Sequence, residues 1–451
     1  MLHNMREQTV LIKDISYLVR DAYRVEHDVD VLIEGNRIMR IGRVTSQEIE
    51  TGATVLNGQG RIVTPGFVNA HTHLYQSMLK GRRDDVPLVS WCEEVTFPFV
   101  RNVLRCTREG SSDEIGYLWS MLGTIEMIKS GITAFIDMDM NLPGVPRAWV
   151  EAGIRGTAAM SMVDQWVPND FITTPEQLRE ETLKLIEDWH QIPSEDPLVQ
   201  VFLGPSAPFT CSEGLLAWIM DIAEKHDLGI QTHVSETEWE VKHSLETVGK
   251  TPLAYLDSIG FLSRPILAVH GVHLTDEEIK LANNRSVTVV YNPKSNMKLG
   301  SGIAPIAKMR QNGVNIAIGT DGAASNDLLD PFEEMRTGVL LQKVAAMDPT
   351  ALDARDIFAS ATAVGAASCR LDAGTIDEGR LADLVIIDPS APHMFNLGDD
   401  IVPALVYCAK GGDVETVIIN GRIVMRDRTI MTIDEKAILK EAKRVGESYG
   451  E

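Results

Sequence analysis

A chain of 451 residues is long enough for one large domain and a smaller one, and 44% hydrophobic with 24% charged residues is the composition of a globular protein. Its formal charge of −22 argues against nucleic acid or an anionic membrane as a partner and favours a neutral or cationic small molecule. No apolar run reaches the ~18 residues of a membrane span, MLHNMREQTVLIKD has no signal-peptide pattern, and Cys92, Cys106, Cys211, Cys369 and Cys408 form no CxxC pair, so the expected location is cytoplasmic.

In chain order, residues 1–64 read as short strands and turns. DVDVLIEGNRIMRIG is a hairpin turning at Glu34-Gly35-Asn36. The far end, residues 373–451, repeats the pattern: GRLADLVIID is a strand and VETVIINGRIVMRDR a hairpin with a type I′ signal at Asn420-Gly421, followed by a polar helix. The two ends are expected to pair as one small β-sandwich domain. Between them, in residues 65–372, eight apolar runs alternate with amphipathic stretches, which predicts an α/β fold of the TIM-type (β/α)8 barrel. LKGRRDDVPLVSWCEEVTFP, after the first run, is expected to be a loop over the barrel mouth.

Polar residues stand where the apolar runs end. His71 and His73 flank one threonine in FVNAHTH, and with a period of 2 both face one way. His233 ends the fifth run, with Glu236 three residues on; His270 ends the sixth; Asp321 ends the eighth. C-terminal strand ends of a barrel meet at one mouth, and three imidazoles with a carboxylate suit Zn²⁺ or Fe²⁺ with a position left for water. Singly, each residue also has an ordinary reading: Asp321 before Gly322 fits turn chemistry, and Glu236 fits a solvated acidic stretch. His243 and His273 lack the strand-end position and read as structural or surface residues. The ordered set is more specific than its members.

The motifs PGFVNAHTH, THVSET, HGVHL, SNMKLGSGIAP and GTDGAASND resemble the amidohydrolase superfamily, nearly end to end. The resemblance implies metal ligands His71, His73, His233 and Asp321, with Glu236, His270 and Asp321 catalytic. The fourth run, VQVFLGPSAP, lacks the lysine or glutamate that bridges two metals elsewhere in the superfamily, so one divalent ion, Zn²⁺ or Fe²⁺, is expected. The chemistry implied is hydrolytic: the metal makes hydroxide available near neutral pH, Asp321 carries protons, Glu236 protonates a ring nitrogen and His270 steadies the attacking oxygen.

Within the superfamily the chain is most similar to the methylthioadenosine/S-adenosylhomocysteine deaminases and the triazine hydrolases. RDDVPLVSW resembles their substrate-facing loop, which would place Trp91 against the substrate; core packing is the alternative. Ser325 and Asn326 either reach substrate or lead into a helix capped by Asp330, with Pro331 in its first turn and Glu333 completing a capping box. Two positions depart from the nucleoside-deaminase pattern: Ser206 replaces a histidine in GPSAP, and Val100 stands where a ribose-binding glutamate is expected.

The resulting expectation is a deaminase of an amino-substituted N-heterocycle, adenosine-derived in the first instance, assembled as a homodimer or homotetramer. A free purine or pterin, or a triazine losing chloride or alkylamine, is the competing substrate. A non-catalytic binding barrel is the reading of another class, and the complete ligand set weighs against it.

Overall fold

The computed structural model describes residues 9–45, 52–108, 112–190 and 197–449. Its centre is a ring of parallel strands: β1 (Phe67–His73), β2 (Ile132–Asp137), β3 (Arg155–Met162), β4 (Val199–Pro205), β5 (Gly229–Val234), β6 (Leu267–His270), β7 (Thr288–Tyr291), β8 (Asn315–Ile318) and the two-residue β9 (Asp321–Gly322). From β1 to β8 each pairs with its neighbour in chain order, and β9 pairs with β1, Asp321 opposite Thr72. The expected eighth strand is therefore split. Its first half lies on β7 and its second half on β1, and this step closes the ring. The step is narrow. A Cβ at Gly319 would lie 2.4 Å from Asn292 Oδ1 and 3.0 Å from the His71 backbone, so only glycine fits. Asn69 latches the closure, accepting from Thr320 N (2.9 Å) and donating to Thr320 Oγ1 (2.7 Å).

The strands are buried almost throughout, as expected where a parallel sheet is covered on both faces. Val68, Ala70, Ile136, Val269, Val290 and Ala317 belong to one apolar cluster. Simple alternation from Val68 and Ala70 would bring Thr72 to that face. The β1–β2 ladder instead slips between Asn69 and Thr72, a bulge that turns His71 and His73 toward the same centre.

The terminal segments do pair with each other: Ile62–Pro65 runs antiparallel to Leu384–Ile387. The mixed sheet this makes shares an apolar cluster with the sheet of Thr9–Ile15, Val29–Glu34, Arg37–Gly42 and Thr54–Asn57, through Val10, Val31, Val63, Leu384 and Ile418. Positive φ at Asn420 (54°) and Gly421 (72°) fits the expected I′ turn. A polar helix, Glu435–Tyr449, ends the described chain. Among the described residues no helix is long and apolar enough to cross a membrane.

Two local expectations need correction. The segment over the mouth is helical from Leu88 through Arg108, with a π turn at Cys92–Thr96. Trp91, Val95, Phe99 and Val103 recur every four residues and are all buried, and that apolar stripe favours helix over loop. Asp330 does cap Pro331–Ala346, accepting from Phe332 N (2.9 Å), but Glu333 pairs with Arg336 (3.0 Å) instead of reaching back to close a box.

One buried ion pair ties barrel to sandwich. Arg155 on β3 donates to Asp383 (2.7 Å), to Pro197 O (2.9 Å) and to Asn420 Oδ1 (2.6 Å). Removing the cation strands the buried Asp383 charge. Arg155→Met is expected to destabilise the protein by about 3–5 kcal/mol, read as a lowered midpoint of denaturant unfolding.

Candidate functional site

Three imidazoles are fixed in one sense. His71 Nδ1 donates to Gln231 Oε1 (2.9 Å), His73 Nδ1 to Met138 O (2.5 Å) and His233 Nδ1 to Ser206 O (2.5 Å). Each Nδ1 therefore carries the proton, and each Nε2 turns its lone pair to the centre. Asp321 Oδ1 lies there, 3.3 Å from His71 Nε2 and 3.4 Å from His73 Nε2. The ring of His233 is 4.9 Å from that of His71 and 5.4 Å from that of His73. His71 Nε2 is buried without a hydrogen-bond partner, which is what a metal-directed lone pair looks like. Ligand atoms of His71, His233, His270 and Asp321 lie within 4.8 Å of one another, and His73 adds a fifth donor at the same carboxylate. This nitrogen and oxygen donor set fits a divalent cation of the zinc or iron type.

His270 is set the other way. The amide nitrogens of Asn296 (2.9 Å) and Asn292 (3.3 Å) face its Nδ1, which therefore accepts, and Nε2 carries the proton. Nε2 lies 3.4 Å from Glu236 Oε2. Glu236 sits on a strained turn, with Ser235 at φ 53°, held by Glu240, whose two oxygens accept from Ser235 N (2.8 Å) and Glu236 N (2.7 Å). His270 (φ 74°) and Asp321 (φ 59°) are also left-handed; such backbone persists only where the surroundings over-determine it.

Burial draws the His73 and His233 imidazoles down to about 4, helped by neighbouring rings, and lowers His71 and His270 in the same way. The imidazoles are therefore neutral at pH 7, as metal ligation requires. Burial opposes ionisation of Asp321, but the surrounding His71, His270 and His73 rings hold its carboxyl well below the usual range. Burial, then the charges of Asp321 and Glu240, raises Glu236 well above its ordinary value. One centre thus pushes two carboxyls in opposite directions, the division of labour that proton transfer needs.

The cluster forms the floor of a cavity of about 380 Å³ whose walls include Trp91, Val100, Ser206, Ser325 and Glu236.

A model of the amidohydrolase family matches residues 62–424. The chain belongs to this family. A 5-methylthioadenosine/S-adenosylhomocysteine deaminase of Thermococcus sibiricus is 41% identical over 418 residues, 91% of this chain and 94% of its own. A 5′-deoxyadenosine deaminase of Methanothermobacter thermautotrophicus is 42% identical over 414 residues, 92% of this chain and 93% of its own. The crystal structure of an adenosine deaminase from Xanthomonas campestris with bound zinc superposes with a TM-score of 0.89 at 30% identity, covering 98% of both chains.

In this amidohydrolase all six residues expected at the metal or in catalysis converge: His71, His73, His233, His270, Glu236 and Asp321. The expected substrate contacts divide. Trp91 lines the cavity, 4% exposed, its indole nitrogen buried without a partner. Ser206 also lines it, while its carbonyl orients His233. The Ser325 hydroxyl lies 3.2 Å from Asp321 Oδ2, beside Ser295 Oγ, which donates to the same oxygen. Asn326 donates to Thr320 O (2.6 Å) and Glu334 (2.6 Å), steadying the turn that carries Asp321. His273 donates to Ser301 O and His243 stacks on Trp239, both outside the ligand cluster.

Sequence reasoning missed the supporting amides. Gln231, two residues before His233, is a lone amide in an apolar strand, and that was the available signal. Its other end donates to Ala70 O (2.7 Å), so it bridges β5 to β1. Gln231→Leu is expected to lower zinc affinity by about 10- to 100-fold, measured by competition with a chromogenic chelator.

Proposed function

We propose that the protein is a zinc-dependent hydrolytic deaminase of adenosine-derived compounds. The observation that carries this is the opposed hydrogen bonding of His71, His73 and His233 on one side and His270 on the other, around the carboxyls of Asp321 and Glu236. We assign the ligands as His71, His73, His233 and Asp321, because their lone pairs face one point, and keep His270 as a donor. Identity to deaminases of adenosine derivatives supports the substrate class, and the zinc in the Xanthomonas campestris structure supports the metal. A divalent cation held there supplies the pull that makes water nucleophilic near neutral pH.

The chain's own groups then move the protons. Asp321 takes a proton from the attacking water. Glu236 donates to the ring nitrogen next to the amino-bearing carbon, so that the ring electrons have somewhere to go. The His270 Nε2–H donates to the incoming oxygen, and its Nδ1 is tied to Asn292 and Asn296 to keep that tautomer. Asp321 passes its proton to the departing amine. As the new carbonyl forms, the proton on its oxygen returns to Glu236 and ammonia leaves. Family likeness also supports a cytoplasmic homodimer or homotetramer.

Zinc-loaded protein should release ammonia from adenosine, methylthioadenosine or 5′-deoxyadenosine, should lose activity on chelation, and should regain it with zinc. Glu236→Gln keeps the size and loses the acid, and kcat should fall by about 10²- to 10⁴-fold with the unfolding midpoint preserved. Release of chloride or alkylamine without ammonia across a heterocycle panel would contradict the reading.

A further inference from the structure

The wall of the cavity above the ligand cluster has an unusual charge pattern. Among the described residues lining it are the acids Asp139, Glu181, Glu236, Glu240 and Asp321, and no lysine or arginine. Arg101, whose guanidinium lies over the lining residue Phe171, does not line the cavity and is already bonded to Asp170 (2.7 Å). Where a nucleoside-binding carboxylate was expected, the cavity presents Val100.

Another part of the wall is aromatic. Trp166, Phe209 and Trp239 pack as a triangle with ring centroids 4.8, 5.2 and 5.2 Å apart. All three line the cavity, and both tryptophans remain 38% exposed. Trp166 is held at φ 69°, a conformation a bulky residue adopts only when anchored, and the adjacent Gln165 anchors it by donating to Phe209 O and Cys211 O (3.2 Å each). A fixed, partly exposed aromatic face inside a cavity gains most from covering by apolar surface. A carboxylate or phosphate brought to the aromatic wall would lose its water and find no lysine or arginine among the described lining residues to pair with.

We propose that the reacting ring carries an uncharged, apolar substituent seated against Trp166, Phe209 and Trp239, and that the site selects against substituents bearing a carboxylate or phosphate. This rests on the deaminase reading above and narrows it. Among compounds that the relatives' names mention, 5′-methylthio- and 5′-deoxyadenosine fit this wall, and the carboxylate in the tail of S-adenosylhomocysteine finds no cationic partner on it.

The test compares kcat/KM for ammonia release from methylthioadenosine, 5′-deoxyadenosine and S-adenosylhomocysteine, with titration calorimetry of the same three compounds on the zinc-loaded protein. The first two should exceed the third by at least about 100-fold, the scale of a buried charge left unpaired. Trp239→Arg, at an exposed position, should narrow that ratio by at least about 10-fold by giving the tail's carboxylate a partner. Equal kcat/KM for all three, or an unchanged ratio in the variant, overturns the proposal and leaves the deaminase reading intact. Should no compound release ammonia, calorimetry decides: tighter binding of the two apolar compounds upholds the apolar wall while the deaminase reading falls, and equal or undetectable binding removes both.

Discussion

The structure depends on one constraint: the Nδ1–H of each of three histidines is tied to an oxygen of the chain, at Gln231, Met138 and Ser206. Two of those acceptors are backbone carbonyls at strand ends, so the barrel's own hydrogen-bond framework sets the tautomers. Without these bonds the rings could present either nitrogen, and the shared centre at Asp321 would be lost. Each ring is neutral because it is buried, and it stays buried because the neutral form needs no counter-charge.

His270 shows the same logic with the opposite sign. Two asparagine amides on one side leave the ring only one way to be neutral, with its proton facing Glu236. A few hydrogen bonds therefore separate ligands from donor among chemically identical side chains. The backbone bears part of the cost. Ser235, His270 and Asp321 all sit in the left-handed region, and Glu240, Asn69 and Asn326 hold the turns that carry them.

The cavity above this centre is acidic at its base and aromatic along one wall. That combination separates what reacts from what is selected. The groups that converge on Asp321 come from β1, β5, β6, β9 and the turn after β5. On the proposed reading, selection would fall to Val100 and the Trp166, Phe209, Trp239 face, which lie on connections outside the strands, where change does not disturb the barrel.

Much of this was legible in the residues. The alternation of apolar runs predicted the barrel, paired hairpins at both ends predicted the sandwich, and His71, His73, His233, His270, Glu236 and Asp321 stood out at the ends of those runs. Local pattern carries such features because burial and strand period act on near neighbours. The helix at Leu88–Arg108 was readable in the same way, from its apolar spacing, but the charged start of the segment masked it. Tertiary structure alone decided the bulge that turns His71 and His73 inward, the splitting of the last strand at Gly319, the Gln231 and asparagine amides behind the rings, and the absence of a lysine or arginine among the cavity's described lining residues. Each of these depends on which distant atoms meet. Residue type and spacing bound that choice, and only the closed ring makes it.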